Sequence, residues 1–200
     1  MCSEIVLATQ NPDKGRELRA ILADAGLRIR TLAEFPRMPD VIEDGATCEA
    51  NAIKKARAAA RHTGLMAVAD DTGLMVEALG GRPGVYAARY AGEDATYEDN
   101  WRKLLRELAG VPRERRHARF VTVAAIARPE NDRVETVEGV LEGMIAEEPS
   151  GTKGFGYDPV FYVPALGKTL AELTPDEKNR ISHRAKAFVK LKELLKMRYS

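Results

Sequence analysis

The stretch Met66-Ala67-Val68-Ala69-Asp70-Asp71-Thr72-Gly73-Leu74 constrains this chain more than any other. Its small and β-branched apolar residues read as a buried strand, which meets two adjacent carboxylates, a hydroxyl and a glycine. The pattern predicts that the strand stops there. Consecutive strand residues point to opposite faces, so Asp70 and Asp71 do different jobs. At the carboxyl end of a strand in an open α/β sheet, one of them faces the crevice where such sheets bind ligands. A carboxylate there suits a divalent cation that prefers oxygen ligands. A second reading makes Asp70-Asp71-Thr72-Gly73 only a turn, since Asp, Thr and Gly all favour turns. Asp71-Thr72-Gly73 is also the triplet of aspartic proteases, but those need two such aspartates sharing a proton. This chain has a single copy in a pattern that is not all-β.

Upstream, Glu4-Ile5-Val6-Leu7-Ala8 predicts a first strand, followed by Thr9-Gln10-Asn11-Pro12-Asp13-Lys14 and by helical spacing through Leu22. Strand, polar loop and helix make a phosphate site: loop N–H groups and the helix N-terminus face the anion, and Lys14 adds charge. Thr9, Asn11 and Lys14 are the side chains placed there. The Gly-rich GxxxxGK[ST] spacing is missing, so this is not a Walker loop. The competing reading is plain capping by Asn11 or Asp13, with Pro12 at the helix start. A second strand is expected over Ile29 to Leu32. Thr47 then caps an alanine-rich helix running through Arg61. Asn51 and Lys55, four apart, share a face of it and with Glu43 point toward the crevice of Asp71, unless they are ordinary exposed polar groups.

Beyond the central strand, the glycines and Pro83 of Gly80 to Tyr90 exclude a regular helix or central strand. Tyr97 to Ala109 reads as an amphipathic helix with Trp101, Leu104, Leu105 and Leu108 on its core side. Arg113 to Arg119 reads as a solvated charged connection. Phe120 to Ala127 and Val134 to Leu141 read as a hairpin. In Gly154-Phe155-Gly156-Tyr157-Asp158, the flanking glycines leave the Phe155 ring free to stack on a planar base, and Asp158 can accept from base N–H groups. The bland reading is an aromatic turn. Thr174 caps, and Pro175 opens, one last helix with Lys178, His183 and Arg184 near its start and Phe188, Leu191, Leu194 and Leu195 as its apolar stripe. Positive charge and donors thus gather where a nucleotide would lie.

The 200 residues suffice for one large domain or two small lobes with a real core. A formal charge of +1 argues against a general nucleic-acid or membrane-surface binder. Cys2 and Cys48 lack partners at metal-ligand spacing and read as reduced thiols. No apolar run is long enough to span a bilayer, and Met1-Cys2-Ser3-Glu4 does not begin a secretory leader, so a cytoplasmic location is expected.

Taken together, Ala8 to Lys14, Glu43-Asp44-Gly45 with Glu49-Ala50-Asn51-Ala52, Ala69 to Leu74, Pro83-Gly84-Val85-Tyr86 with Ala88-Arg89-Tyr90, Gly154 to Pro159, and Ser182-His183-Arg184 closely resemble the Ham1-like inosine/xanthosine triphosphate pyrophosphatases. The motifs fall in the family's order across nearly the whole chain. The resemblance implies one ITPase-like domain over residues 1–200. Its α/β fold would have a long mixed, twisted β-sheet flanked by helices, two lobes with a central nucleotide cleft, and a homodimer. It implies hydrolysis of ITP, dITP and XTP to the monophosphate and pyrophosphate with Mg²⁺, with neither nucleic acid nor membrane as partner. By position, Thr9, Gln10, Asn11, Pro12, Asp13 and Lys14 would hold the phosphates, with Asn51 and Lys55 nearby. Asp71 would be general base and metal ligand, and Thr72 a substrate contact. Phe155, Gly156, Tyr157, Asp158, Lys178, His183 and Arg184 would meet base and sugar. Many relatives carry an acidic residue where this chain has Ile42, so Glu43 is assigned as the second metal carboxylate. Ala87 replaces a usual serine. Competing readings are a Maf-like pyrophosphatase of other modified nucleotides, a nucleotide sensor without turnover, and an RNA binder acting through Arg113 to Arg119.

Overall fold

The computed structural model describes residues 4–199, so Cys2 and the reading of the first three residues lie outside the description. In chain order the elements are β1 (Glu4–Leu7), α1 (Pro12–Leu22), β2 (Arg28–Thr31), α2 (Cys48–Thr63), β3 (Met66–Val76), β4 (Pro83–Gly84) and α3 (Tyr97–Glu107). They continue with β5 (His117–Ala127), β6 (Val134–Ile145), β7 (Phe161–Val163), β8 (Lys168–Thr169), α4 (Pro175–Ile181) and α5 (His183–Tyr199). The strands form one mixed sheet in the order β2-β1-β3-β5-β6-β7-β8, with β4 beside β3. β1 is parallel to β2 and β3, whereas β6, β7 and β8 pair antiparallel. This is the expected α/β class with a mixed, twisted sheet and flanking helices.

The chain divides into two compact units. The first comprises the residues up to Asp71, Thr122–Gly139 and those from His183 onward. Its core joins Ile5 and Leu7 of β1, Leu18 and Leu22 of α1, Met66 and Val68 of β3, and Phe188 and Leu191 of α5. α2 lies against β1, and its Ala52, Ala56, Ala59 and Ala60 are all fully buried; methyl side chains let packed elements approach closely. The second unit comprises Thr72–Val121 and Val140–Ser182. Its core gathers Leu74 and Val76, Leu104 of α3 and Leu108 at its C-cap, and Phe120 and Phe161, whose ring centroids lie 4.5 Å apart. Trp101 packs against this core, as its helical position predicts.

Three expectations are corrected. β3 does not stop at the carboxylates: it runs on to Val76, placing Asp70, Asp71, Thr72 and Gly73 inside the strand, and the turn reading falls with it. The charged run 113–119 is not only a solvated connection. Arg116 is buried, donating from Nε to Val111 O (3.0 Å), from Nη1 to Ala146 O (3.0 Å) and from Nη2 to Leu108 O (2.9 Å). The last helix is two helices, because Ser182 takes an extended backbone (ψ 151°) that ends α4 and lets α5 begin at His183.

Candidate active site

Asn11 sets the geometry of the first loop. Its Oδ1 accepts from Asp13 N (2.9 Å) and Lys14 N (3.2 Å), and its own N–H donates to Thr9 Oγ1 (3.2 Å). Pro12, with no N–H to satisfy, is the first residue of α1. Asp13 is held by Arg16, and Gln10 donates to Asp40 Oδ1 (3.2 Å). The first turn therefore projects Lys14 inward, where its Nζ lies 3.2 Å from Asp70 Oδ2. Burial lowers the Lys14 pKa against the pull of Asp70.

Asp70, 2% exposed, also accepts from Arg184 Nε (3.2 Å), and Arg184 Nη1 reaches Glu17 Oε2 (2.7 Å). Burial alone would raise the Asp70 carboxyl, but the Lys14 and Arg184 charges overcome it and hold it well below the usual carboxylate range. Arg184, expected at the base, is thus tied into the carboxylate cluster at the start of α5. His183 beside it is buried.

Asp71 faces a different set. Its Oδ2 accepts from Asn51 Nδ2 (3.3 Å), and its Oδ1 lies 3.2 Å from Lys55 Nζ. Lys55 also donates to Glu43 Oε2 at 2.8 Å. Burial works against the Lys55 charge, yet Asp71, Asp70 and Glu43 outweigh it and raise its pKa. Cys48 lies in the first turn of the same helix. Burial, then the Asp71 charge, pushes its thiol up to about 12. The face of α2 at 48, 51 and 55 thus serves Asp71, since residues three and four apart line one side of a helix.

Among the described residues no group of three or more His, Cys, Asp and Glu side chains gathers to hold a metal. Asp71 and Glu43 nevertheless converge on one cation, the Lys55 ammonium. One or two carboxylates completed by substrate phosphates is the donor set that Mg²⁺ takes, so these residues fit such an ion.

In the second unit, Phe155 N donates to Asp158 Oδ2 (2.8 Å), and Lys178 Nζ meets the same oxygen at 2.5 Å. Lys178 Nζ also stands 4.7 Å from the Phe155 ring centroid, and the Tyr97 ring lies 5.8 Å from Phe155. Gly156 has φ +62°, and the hydroxyl of buried Tyr157 donates to Ala87 O (2.8 Å). Thr72 is half-buried in β3. Sequence reading gave no place in the site to Glu17, Gly45, Cys48 or Tyr97. Glu17 stands three residues after Lys14 on α1, a spacing that signals a shared face, whereas nothing local marks Tyr97.

A buried carboxylate pair in mid-strand, lysines from two helices and an aromatic–lysine platform are the parts of a nucleotide-handling α/β protein. The Ham1 family model matches residues 5–194, and this chain belongs to the Ham1 family. It is 55% identical over 190 residues to a dITP/XTP pyrophosphatase of Geobacillus kaustophilus, covering 95% of this chain and 93% of the relative. A Bacillus subtilis protein of the same name is 50% identical over 192 residues, covering 96% of each. Among solved structures, a HAM1 protein from Coxiella burnetii superposes with a TM-score of 0.88 at 45% identity, covering 98% of this chain and 99% of that one.

Proposed function

We propose that this chain is a Mg²⁺-dependent nucleoside-triphosphate pyrophosphatase that converts ITP, dITP and XTP to the monophosphate and pyrophosphate. The observation that carries the reading is Asp71, buried in mid-strand and held by Asn51 and Lys55, with Glu43 on the same lysine. The names of the relatives, dITP/XTP pyrophosphatases at 50–55% identity, support the substrate class.

Thr9 to Lys14 receive the phosphates through the positive end of α1 and the Lys14 ammonium, the Asp13 and Lys14 N–H groups themselves being capped by Asn11. Asp71 orients a water and takes its proton as the water oxygen bonds to the α-phosphorus. The bond from that phosphorus to the bridging oxygen then breaks, and pyrophosphate leaves with the electron pair. Lys14 and Lys55 balance the charge that gathers on the phosphate oxygens. Asp71 and Glu43 would hold Mg²⁺, which supplies charge neutralisation and a more acidic water. Phe155 offers a stacking face, and Lys178, with His183, supplies donors for the 6-oxo group. Adenine's amino group would face those donors with another donor, and each unpaired buried group costs about 1–3 kcal/mol. The chain acts in the cytoplasm as a homodimer, with neither nucleic acid nor membrane as partner; sedimentation equilibrium checks the dimer.

The test is pyrophosphate release from ITP, dITP, XTP, ATP and GTP with Mg²⁺, comparing wild type with Asp71→Asn. Rapid release from the first three alone, lost in the variant, supports the reading. Nucleotide binding without release by the wild type overturns it in favour of a sensor.

A further inference from the structure

We propose that Asn51 is a positioning residue whose amide, oriented by the Gly45 N–H, fixes the Asp71 carboxylate and ties it to the loop that carries Glu43. This rests on the reading of Asp71 as general base. Asn51 is 1% exposed, and both ends of its amide are engaged. Gly45 N donates to Asn51 Oδ1 at 2.8 Å, and Asn51 Nδ2 donates to Asp71 Oδ2 at 3.3 Å.

The orientation follows from chemistry. A backbone N–H can only donate, so the amide atom facing Gly45 must be oxygen, and the NH2 group is left for an ionised carboxylate that can only accept. Gly45 makes the close approach possible. A Cβ there would stand 2.5 Å from Asn51 Oδ1 and 2.9 Å from Ala50 Cβ, so any side chain would push the amide aside. Glu43 lies two residues before Gly45, and its Oε2 shares Lys55 with Asp71. The loop is therefore joined to Asp71 twice, by a neutral amide and by a lysine. Because Asn51 holds one carboxylate oxygen and Lys55 the other, the plane of the Asp71 carboxylate is set before substrate arrives. Asn51, expected at the substrate, instead works through Asp71.

The full-length chain is tested as Asn51→Asp, Asn51→Ala and Gly45→Ala. Asn51→Asp keeps an acceptor for the Gly45 N–H but has no N–H for Asp71, whereas Asn51→Ala loses both. The readouts are kcat and KM for dITP with Mg²⁺, affinity for a non-hydrolysable dITP analogue, and hydrogen exchange at the Gly45 amide. We expect Gly45 to stay protected in Asn51→Asp and to exchange faster in Asn51→Ala. All three variants should lose at least about tenfold in kcat, with KM and analogue affinity within about threefold of wild type. Wild-type kcat in Asn51→Asp would mean that the amide only latches the loop, and overturns the proposal. So would weakened analogue binding with kcat preserved, the signature of a substrate contact. If the wild type itself releases no pyrophosphate, the enzyme reading has failed. The positioning role is then decided by crystal structures: a rotated Asp71 carboxylate in Asn51→Asp supports it, and an unmoved one overturns it.

Discussion

Asp70 and Asp71 are consecutive in β3 yet answer to different partners: Asp70 meets Lys14 and Arg184, whereas Asp71 meets Asn51 and Lys55. Their removal should leave opposite signatures. Asp71→Asn is expected to fold with near-native stability while kcat falls by about 10³-fold. Asp70→Asn takes the carboxylate from Lys14 and leaves buried Arg184 with Glu17, and should cost about 3 kcal/mol of stability. Urea denaturation beside steady-state kinetics separates the two, and equal stability losses would contradict the division of roles.

Stability should also depend on pH through Asp70. Its folded pKa is depressed against burial by Lys14 and Arg184, so the protein gains stability where the unfolded carboxyl is already ionised. That gain is complete above the unfolded value of about 3.9 and is lost as pH falls below it toward the lower folded value. Melting temperatures from neutral pH down to strong acid should fall more steeply for wild type than for Asp70→Asn in that acid window. Parallel curves would remove Asp70 as the cause.

Gly154 is a position at which the Phe155–Asp158–Lys178 cluster, proposed to receive the base, is readily damaged. Its φ is +75°, and a Cβ would run into Asp158 Oδ2, the atom that holds both Phe155 N and Lys178. Gly154→Ala should therefore raise KM for dITP by about tenfold while leaving kcat nearly unchanged, because the damage lies away from Asp71. A kcat loss of that size with KM intact would contradict this.

The Cys48 thiol, pushed up to about 12 by burial and then by Asp71, should be inert in the folded protein. At pH 8 only about one thiol in 10⁴ would be the reactive thiolate. With Cys2 replaced by serine, a thiol-titrating disulfide reagent should find no reactive group in native protein and one after unfolding in urea. Fast native reaction would show that Cys48 is open to solvent.

Local signals carried much of this molecule. Asn11-Pro12 foretold the capped start of α1, Thr47 the start of α2, and Gly154 to Asp158 the aromatic loop. The path of β3 was not legible, because Asp-Asp-Thr-Gly has turn propensity and its strand geometry depends on distant partners. Arg184 is 114 residues from the Asp70 it neutralises, and Lys55 is 16 from Asp71. Once such partners hold the carboxylates and β1 and β5 flank the strand, local preference is overridden. The break at Ser182 was hidden for another reason: neither glycine nor proline marks it, only one residue with an extended ψ. The roles of Asn51 and Gly45 were equally silent, since a side chain joined to a backbone N–H six residues earlier leaves no periodic trace.

Arg116 sets a trap for anyone scanning the basic run by charge. Its guanidinium spans three carbonyls along a planar fork, and the point-like ammonium of lysine does not reproduce that geometry. A neutralised run that stopped retaining RNA would therefore say nothing about RNA unless Arg116 had been left in place, because a collapsed scaffold gives the same blank lane as a lost contact.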